Sequence, residues 1–467
     1  SLQIIKQFYI LFLFWCISCT PHKVFFDNPG SPLLIRKIND LIINSGLDVN
    51  MGIKIIAIQS GKTLYALNSQ KLLMPASNNK LYTCAAALEY LGPDYRFTTS
   101  VFQQSNNLIL RGGGDPDLTI EQLDSLAKIT AKKITHVDTL FVDESFLDSL
   151  HYGQGWMWDE GAWWYAAPIS ALSLNDNCID FFVDPGKPGE PAKVTIHPET
   201  DYVQFVNQST TVNDTVDFIK FKIDRNWSGR TNLFTISGEI LDTAKTDTFY
   251  RNIHDAASFS GTIFSELLER YGTTVKNILP GKRFINLDTL AVHISDSLIV
   301  SAHNLMHKSD NLTAELFAKT MAVNDTTSGN WRDGLKAIKA FLADSAGMDT
   351  SLLRLSDGSG VSRYTLTSAD QIIQLLTYMH DSSNKDDFMF TLPGGGSDST
   401  LKNRLESVHS KVKAKTGGLS GVSCLSGYIF SEKYGPVAFS MLMNGYIGNA
   451  APFRKLQDRI VATILYD

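Results

Sequence analysis

The two ends of the chain carry complementary parts of one β-sheet, and this limits the possible folds more than any other pattern in the 467 residues. Near the start, Gly52–Ile58 and Thr63–Leu67 read as strands joined by the turn Gln59-Ser60-Gly61-Lys62. Near the end, roughly 410–417, 421–430 and 436–444 read as three more, and a helix follows over about 450–465. Leu34, Ile35, Ile38, Leu41 and Ile42 recur at helical spacing, which places another helix over 33–47. A lone pair of strands is marginal in water. The helix and two strands of the start and the three strands and helix of the end are therefore predicted to build one antiparallel sheet.

Between these ends, 77–91 is predicted to be a helix stopped by Gly92, and 309–323 and most of 353–389 are also helical in pattern. Residues 98–275 differ. Short alternating strands at Leu108–Arg111, Thr139–Val142, Lys193–His197, Phe218–Ile223 and Leu233–Gly238 are separated by turn residues. The expected organisation is an α+β unit made of 23–97 and 276–467, interrupted by a β-rich insertion over 98–275 that is one domain or two nested ones.

Composition is that of an ordinary globular protein, with 43% apolar and 19% charged residues. A net charge of −6 provides no basic footprint, so nucleic acid is not an expected partner. Residues 1–19 stand apart. Lys6 precedes an apolar run from Phe8 to Ile17 that is too short to cross a bilayer but suits the core of an export signal. Ile17-Ser18-Cys19 resembles the end of a bacterial lipobox, which makes Cys19 the candidate for lipidation; Cys16 stands where that pattern prefers Leu. The alternative is a plain signal peptide cleaved nearby. Either way the chain is expected to be exported to the periplasm and to meet a membrane only through its signal or a lipid anchor. Cys84, Cys178 and Cys424 are three scattered thiols, which argues against a disulfide framework and against a zinc site.

Three short motifs occur in fixed order: Ser77-Asn78-Asn79-Lys80, Ser309-Asp310-Asn311 and Lys415-Thr416-Gly417. Together they supply a nucleophile, a base, a proton relay and a cationic clamp, an inventory for acyl transfer through a serine ester. Ser-x-x-Lys also occurs at Ser125–Lys128 and Ser410–Lys413, so order and context carry the argument. Ser77 opens a helix, where a serine is ordinarily an N-cap. Lys80 lies one turn on, on the same face. The helix terminus and a second cation are expected to disfavour its ammonium form, leaving an amine able to take the serine proton. Asp310 suits a helix cap, Ser309 a proton relay and Asn311 a substrate amide. Lys415 and Thr416 would meet a carboxylate. Gly417 and Gly418 would let substrate approach the backbone, with the Ser77 and Gly418 N–H groups as oxyanion donors.

These motifs resemble those of the penicillin-recognising serine acyltransferases. Gly112-Gly113-Gly114-Asp115-Pro116, Gly155-Trp156-Met157-Trp158-Asp159, Ala167-Pro168-Ile169-Ser170-Ala171-Leu172-Ser173, Asp357-Gly358-Ser359-Gly360-Val361-Ser362-Arg363 and Thr400-Leu401-Lys402-Asn403-Arg404 narrow the likeness. With them the chain resembles, over about 50–445, the D-alanyl-D-alanine carboxypeptidase/endopeptidase family of penicillin-binding protein 4. The resemblance implies a β-lactamase/transpeptidase-like domain, an antiparallel sheet flanked by helices plus a helical subdomain, with a large β-rich insertion. It further implies that Ser77 attacks the bond between two D-alanines of a peptidoglycan stem peptide, with Lys80 as base. Ser309, Asn311 and Lys415 would serve proton transfer and binding, and Thr416, Gly417 and Gly418 would line the substrate. No cofactor or metal is implied, and β-lactam antibiotics would be covalent inhibitors. Gly418 stands where the family commonly has Ser or Thr, and Ser420 is the candidate to replace that hydroxyl.

Rival readings are a β-lactamase or esterase of the same chemistry and a non-catalytic cell-wall-binding lipoprotein. His303 and His307 have the spacing of a metal pair but no evident third ligand. Trp156, Trp158, Trp163, Trp164 and Tyr165 are read as packing ahead of sugar stacking. By family analogy the segment holding Asp143, Asp148 and Asp159 lines the pocket for the stem's diamino acid, with no choice among the three. Asp357-Gly358-Ser359-Gly360 reads as a tight turn and Arg404 as a clamp on its own loop.

Overall fold

The sheet built from both ends is present, in the order Val412–Leu419, Val422–Ser431, Gly435–Asn444, Asn50–Ala57, Lys62–Leu67, with every neighbouring pair antiparallel. The computed structural model describes residues 31–281, 284 and 287–467. The export segment, with Cys16 and Cys19, lies outside the described residues.

Both faces of this sheet are buried, so its central strands are apolar at nearly every position. Met51, Ile53, Ile55 and Ala57 project to one side, and Ile56 and Ile58 to the other. The first side is covered by the helices Pro32–Ser45 and Ala451–Leu465, through Leu34, Ile38, Leu456, Ile460 and Ile464. On the second side the helix Ala369–Asp381 packs directly on the central strands, and the helix Lys80–Tyr90 shares the core beneath with Asn311–Thr320 and Trp331–Asp344. The helix Lys80–Tyr90 is buried nearly all round, and Ala85, Ala86 and Ala87 allow its neighbours to approach closely. Gly92, at φ +84°, ends it.

A second five-stranded sheet has the order Thr274–Pro280, His136–Asp143, Asn107–Gly112, Arg96–Gln104, Asp288–Ser297, partly parallel and partly antiparallel. Smaller sheets include one of Cys178–Asp184, Lys193–His197 and Asp247–Asn252. Two helices here were not foreseen. Ile120–Ala131 starts with a Thr119/Gln122 capping box, and Ala256–Arg270 is capped by Asp255. The expected strand over Phe218–Ile223 is replaced by Lys222–Arg225, and Ile219 in the preceding stretch is 62% exposed. Residues 353–368 are mostly irregular, because the turn at Asp357 is fixed by side chains and not by a helical ladder.

Arg404 grips the closing helix and not its own loop. Its Nη2 lies 2.6 Å from Asp458 and 3.1 Å from Gln457. Cys84, Cys178 and Cys424 are buried free thiols.

Candidate active site

Ser77 sits in a tight 3-10 turn, Ala76–Asn79, and the α-helix begins only at Lys80. It is therefore not the helix N-cap that the sequence suggested. Ala76 holds φ +47°, a conformation rarely taken by a residue with a Cβ, and such strain is retained where surroundings over-determine it. Several contacts do so here. Asn78 Nδ2 donates to Lys415 O (2.9 Å), Ser426 Oγ donates to Asn78 Oδ1 (2.6 Å), and Asn79 Nδ2 donates to Asp357 O (2.9 Å). Gly417 contributes by lacking a side chain, since a Cβ there would stand 2.5 Å from Pro75 O. Its glycine thus serves the turn that carries Ser77, whereas Gly418 is the one with open space around it.

Lys80 is fully buried, and its Nζ has three neighbours: Asn311 Oδ1 at 2.6 Å, Ser359 O at 2.9 Å and Ser77 Oγ at 3.1 Å. Asn311 Nδ2 donates to Tyr165 O (2.7 Å), which fixes which end of that amide faces the lysine. Burial pushes the Lys80 amine down to about 8 from an ordinary 10.5, opposed by the charges of Glu315, Asp310 and Asp357. The cause is desolvation, in place of the helix terminus expected from sequence. A neutral amine has two hydrogens and one lone pair. Asn311 Oδ1 and Ser359 O can only accept, so they take the hydrogens and the lone pair is left facing the Ser77 hydroxyl. After that hydroxyl has given up its proton, the ammonium still finds three acceptors in place, so no reorganisation is needed.

Ser309 ends a helical turn at φ +61°, which turns its hydroxyl toward Lys415; the Nζ to Oγ distance is 2.8 Å. Asp310 caps the next helix, accepting from Leu312 N (3.1 Å) and Thr313 N (3.0 Å), as expected. Lys415 is also fully buried and donates to Thr416 O (3.0 Å). Burial, and then the nearby Lys80, hold its amine well below the usual lysine range.

Val412–Leu419 is the edge strand of its sheet. Ala414 N donates outward to Pro393 O (2.9 Å), and backbone direction alternates along a strand, so Thr416 and Gly418 also face the open edge. The Thr416 hydroxyl lies 2.7 Å from that of Thr400 on the cleft's rim. Ser420 is exposed beyond the strand's end, and its carbonyl accepts from Arg363 (3.2 Å). Ser77, Lys80, Ser309, Asn311, Lys415, Thr416 and Gly418 thus share one cleft, with Ser420 at its margin.

Two residues were missed from sequence. Glu315 and Asp357 are both fully buried beneath the cleft. Glu315 accepts from Gly358 N (2.7 Å), Ser359 N (2.8 Å) and the Trp331 indole (2.7 Å). Asp357 accepts from Gly360 N (3.0 Å), Ser362 N (2.6 Å) and the Trp156 indole (3.0 Å). The available signal was Asn311, Glu315 and Lys319 at four-residue spacing, a polar line along a helix whose ten residues are all buried.

Among the other candidates, Asp143 is paired with Arg111 (2.7 Å) and Asp148 with Lys319 (2.6 Å), while Asp159 is exposed and has no such partner among the described residues. Trp156 packs against Trp331, whereas Trp158 is 79% exposed beside Trp227. His303 and His307 stack at 3.8 Å, and His303 also packs against Phe390. Ser125 of the spare Ser-x-x-Lys bonds its own helix at Glu121 O (2.9 Å).

Residues 34–464 match the sequence profile of the D-Ala-D-Ala carboxypeptidase 3 (S13) family. The chain is 32% identical over 432 residues to a D-alanyl-D-alanine carboxypeptidase of Actinomadura sp. (strain R39), covering 85% of this chain and 78% of the relative. The crystal structure of penicillin binding protein 4 from Haemophilus influenzae superposes with a TM-score of 0.80 at 26% identity, covering 91% of this chain and 98% of that one. The same H. influenzae protein complexed with a β-lactam superposes with a TM-score of 0.75 at 23% identity, over 92% and 99% of the two chains.

Proposed function

The chain belongs to the D-Ala-D-Ala carboxypeptidase 3 (S13) family, and on that footing we propose that Ser77 is the nucleophile of a penicillin-binding serine carboxypeptidase acting on peptidoglycan stem peptides. The observation that carries this reading is the buried Lys80 Nζ, its amine lowered by desolvation, between two acceptor-only partners and 3.1 Å from the Ser77 hydroxyl.

The Ser77 proton passes to Lys80 as Oγ bonds to the carbonyl carbon of the penultimate D-alanine. The negative oxygen is received by the Ser77 and Gly418 amides. The C–N bond to the terminal D-alanine then breaks, and its nitrogen takes a proton relayed through Ser309 from the Lys80–Lys415 pair. Thr416 and Lys415 hold the terminal carboxylate. Water, deprotonated by Lys80, cleaves the ester and frees Ser77. A β-lactam follows the first half, but its leaving nitrogen stays tethered to the acyl group and obstructs the water step. With Asp143 and Asp148 engaged elsewhere, Asp159 is left as the carboxylate for the stem's diamino acid. Ser420, exposed just past the strand's end, is the candidate for the hydroxyl that Gly418 lacks. The pairing of Asp288–Ser297 with Arg96–Gln104 supports an insertion that closes near 297 and not 275. The apolar run before Cys19 supports export to the periplasm and lipid anchoring there; no helix among the described residues is long and apolar enough to cross a membrane.

The test is intact-protein mass spectrometry after exposure to benzylpenicillin, with peptide mapping. One adduct on the peptide containing Ser77, absent from Ser77→Ala, is expected. Labelling that survives Ser77→Ala would place the nucleophile elsewhere.

A further inference from the structure

The loop Asp357–Ser362 supplies the carbonyl that takes one hydrogen of Lys80, and that loop is held from beneath by two carboxylates. Glu315 clasps the consecutive amides of Gly358 and Ser359, and Asp357 those of Gly360 and Ser362. On the opposite side, Thr83 of the helix that begins at Lys80 donates to Gly358 O (2.6 Å). We infer that Glu315 is a positioning residue for the general base: by fixing the Ser359 carbonyl it aims the lone pair of Lys80 at Ser77. This rests on the reading of Lys80 as base.

The geometry explains why a carboxylate stands there. Its two oxygens accept from two neighbouring N–H groups, which a glutamine cannot do, because its NH₂ would confront one of them. Burying an anion is costly unless it is bonded and balanced. Three N–H donors, including the Trp331 indole, favour the anion, whereas burial and then the neighbouring Asp357 charge push its carboxyl up to about 7, so it is ionised over the alkaline part of the range. The titratable groups around it are Asp310 at the cap of the same helix, Asp357 in the loop and the amine of Lys80. Lys319, one helical turn further along, is occupied by Asp148 and by the Trp331 ring, 4.2 Å from its Nζ. Glu315 therefore has two effects on Lys80 that can be separated. It orients the amine through the loop, and its charge favours the ammonium form.

The experiment measures the rate of acylation of the full-length protein by benzylpenicillin between pH 6 and 9.5. For Glu315→Gln the plateau rate is expected to fall by about 10- to 100-fold, the scale of a misplaced catalytic group. Its acid limb is expected to move to lower pH by about one unit, as loss of a neighbouring opposite charge requires. Thr83→Val loosens the same loop without altering charge, and is expected to slow acylation with the limb unmoved. A plateau unchanged in Glu315→Gln, a limb unmoved in that variant, or a limb moved equally in Thr83→Val overturns the inference. Should Glu315→Gln fail to fold, Asp357→Asn reads the same limb, with the same direction expected and the same unmoved limb as refutation. Absence of acylation in the unmodified protein would sink the reading of Ser77 and Lys80, and this inference with it.

Discussion

Replacing Gly360 by alanine tests how closely the catalytic turn depends on the loop beside it. Gly360 holds φ +84°, and a Cβ there would lie 2.0 Å from Ala76 O, 2.7 Å from Ala76 C and 2.9 Å from Asn79 Cβ. An alanine at such a φ costs ~1–3 kcal/mol in backbone strain alone. Relief of the contact with Ala76 O requires a shift of roughly 1 Å, since carbon and oxygen ordinarily keep more than ~3 Å apart. Ala76 is already at φ +47° and immediately precedes Ser77, so the displacement is passed on to the nucleophile. A 1 Å misplacement of a reacting group costs on the order of 100-fold in rate. The assay is stopped-flow acylation by a chromogenic cephalosporin, read alongside thermal unfolding. Gly92 provides the matched control, with the same φ of +84° and nothing within 4 Å of its added Cβ. Gly92→Ala is expected to lose stability but to acylate normally. Wild-type acylation by Gly360→Ala would refute the steric coupling, and so would an equal loss of rate in Gly92→Ala.

Three further outcomes are expected. With Lys80 as the proposed base, active as the neutral amine and held at about 8, acylation should rise about tenfold per pH unit from pH 6 and level off above that value; a flat profile would remove Lys80 as base. Asn311→Asp places a negative charge on Lys80 Nζ, favours the ammonium, and should move the same limb upward by roughly 1–3 units. A limb that stays in place or falls would contradict the contact. Arg404→Ala severs the link from its loop to Asp458 and Gln457, and should cost about 1–3 kcal/mol of stability by denaturant unfolding. An unchanged midpoint would mark the clamp as idle.

The first sheet was readable because both faces of its central strands are covered. That requirement writes an apolar residue at nearly every position from Met51 to Ile58 and from Val437 to Met443. The motif residues were readable because their chemistry is distinctive. Other features left weaker marks. The turn at Ser77 looked like a helix start because Pro75-Ala76-Ser77 fits a cap, and nothing local shows that Asn78 is drawn onto the sheet. The helix Ile120–Ala131 carries a capping box, yet strands on either side masked it. Glu315 drew no reading and Asp357 only that of a tight turn, since their partners are backbone amides and indoles that no spacing rule connects. The cause of the low Lys80 value was misjudged for a related reason. Burial is a property of the assembled core, not of the residues next to the lysine.

The strand Asn50–Ala57 has Gly435–Asn444 as a neighbour, and the wall of the cleft opposite Ser77 comes from Val412–Leu419. A chain emerging from a ribosome or a translocation pore with its N-terminus first therefore presents its serine long before the strand that completes the pocket. Hydrolytic competence arrives late, once the final sixty or so residues have followed. Until then, the hairpin of the first two strands has an unpaired edge awaiting its distant partner, the kind of exposed ladder on which passing chaperones act.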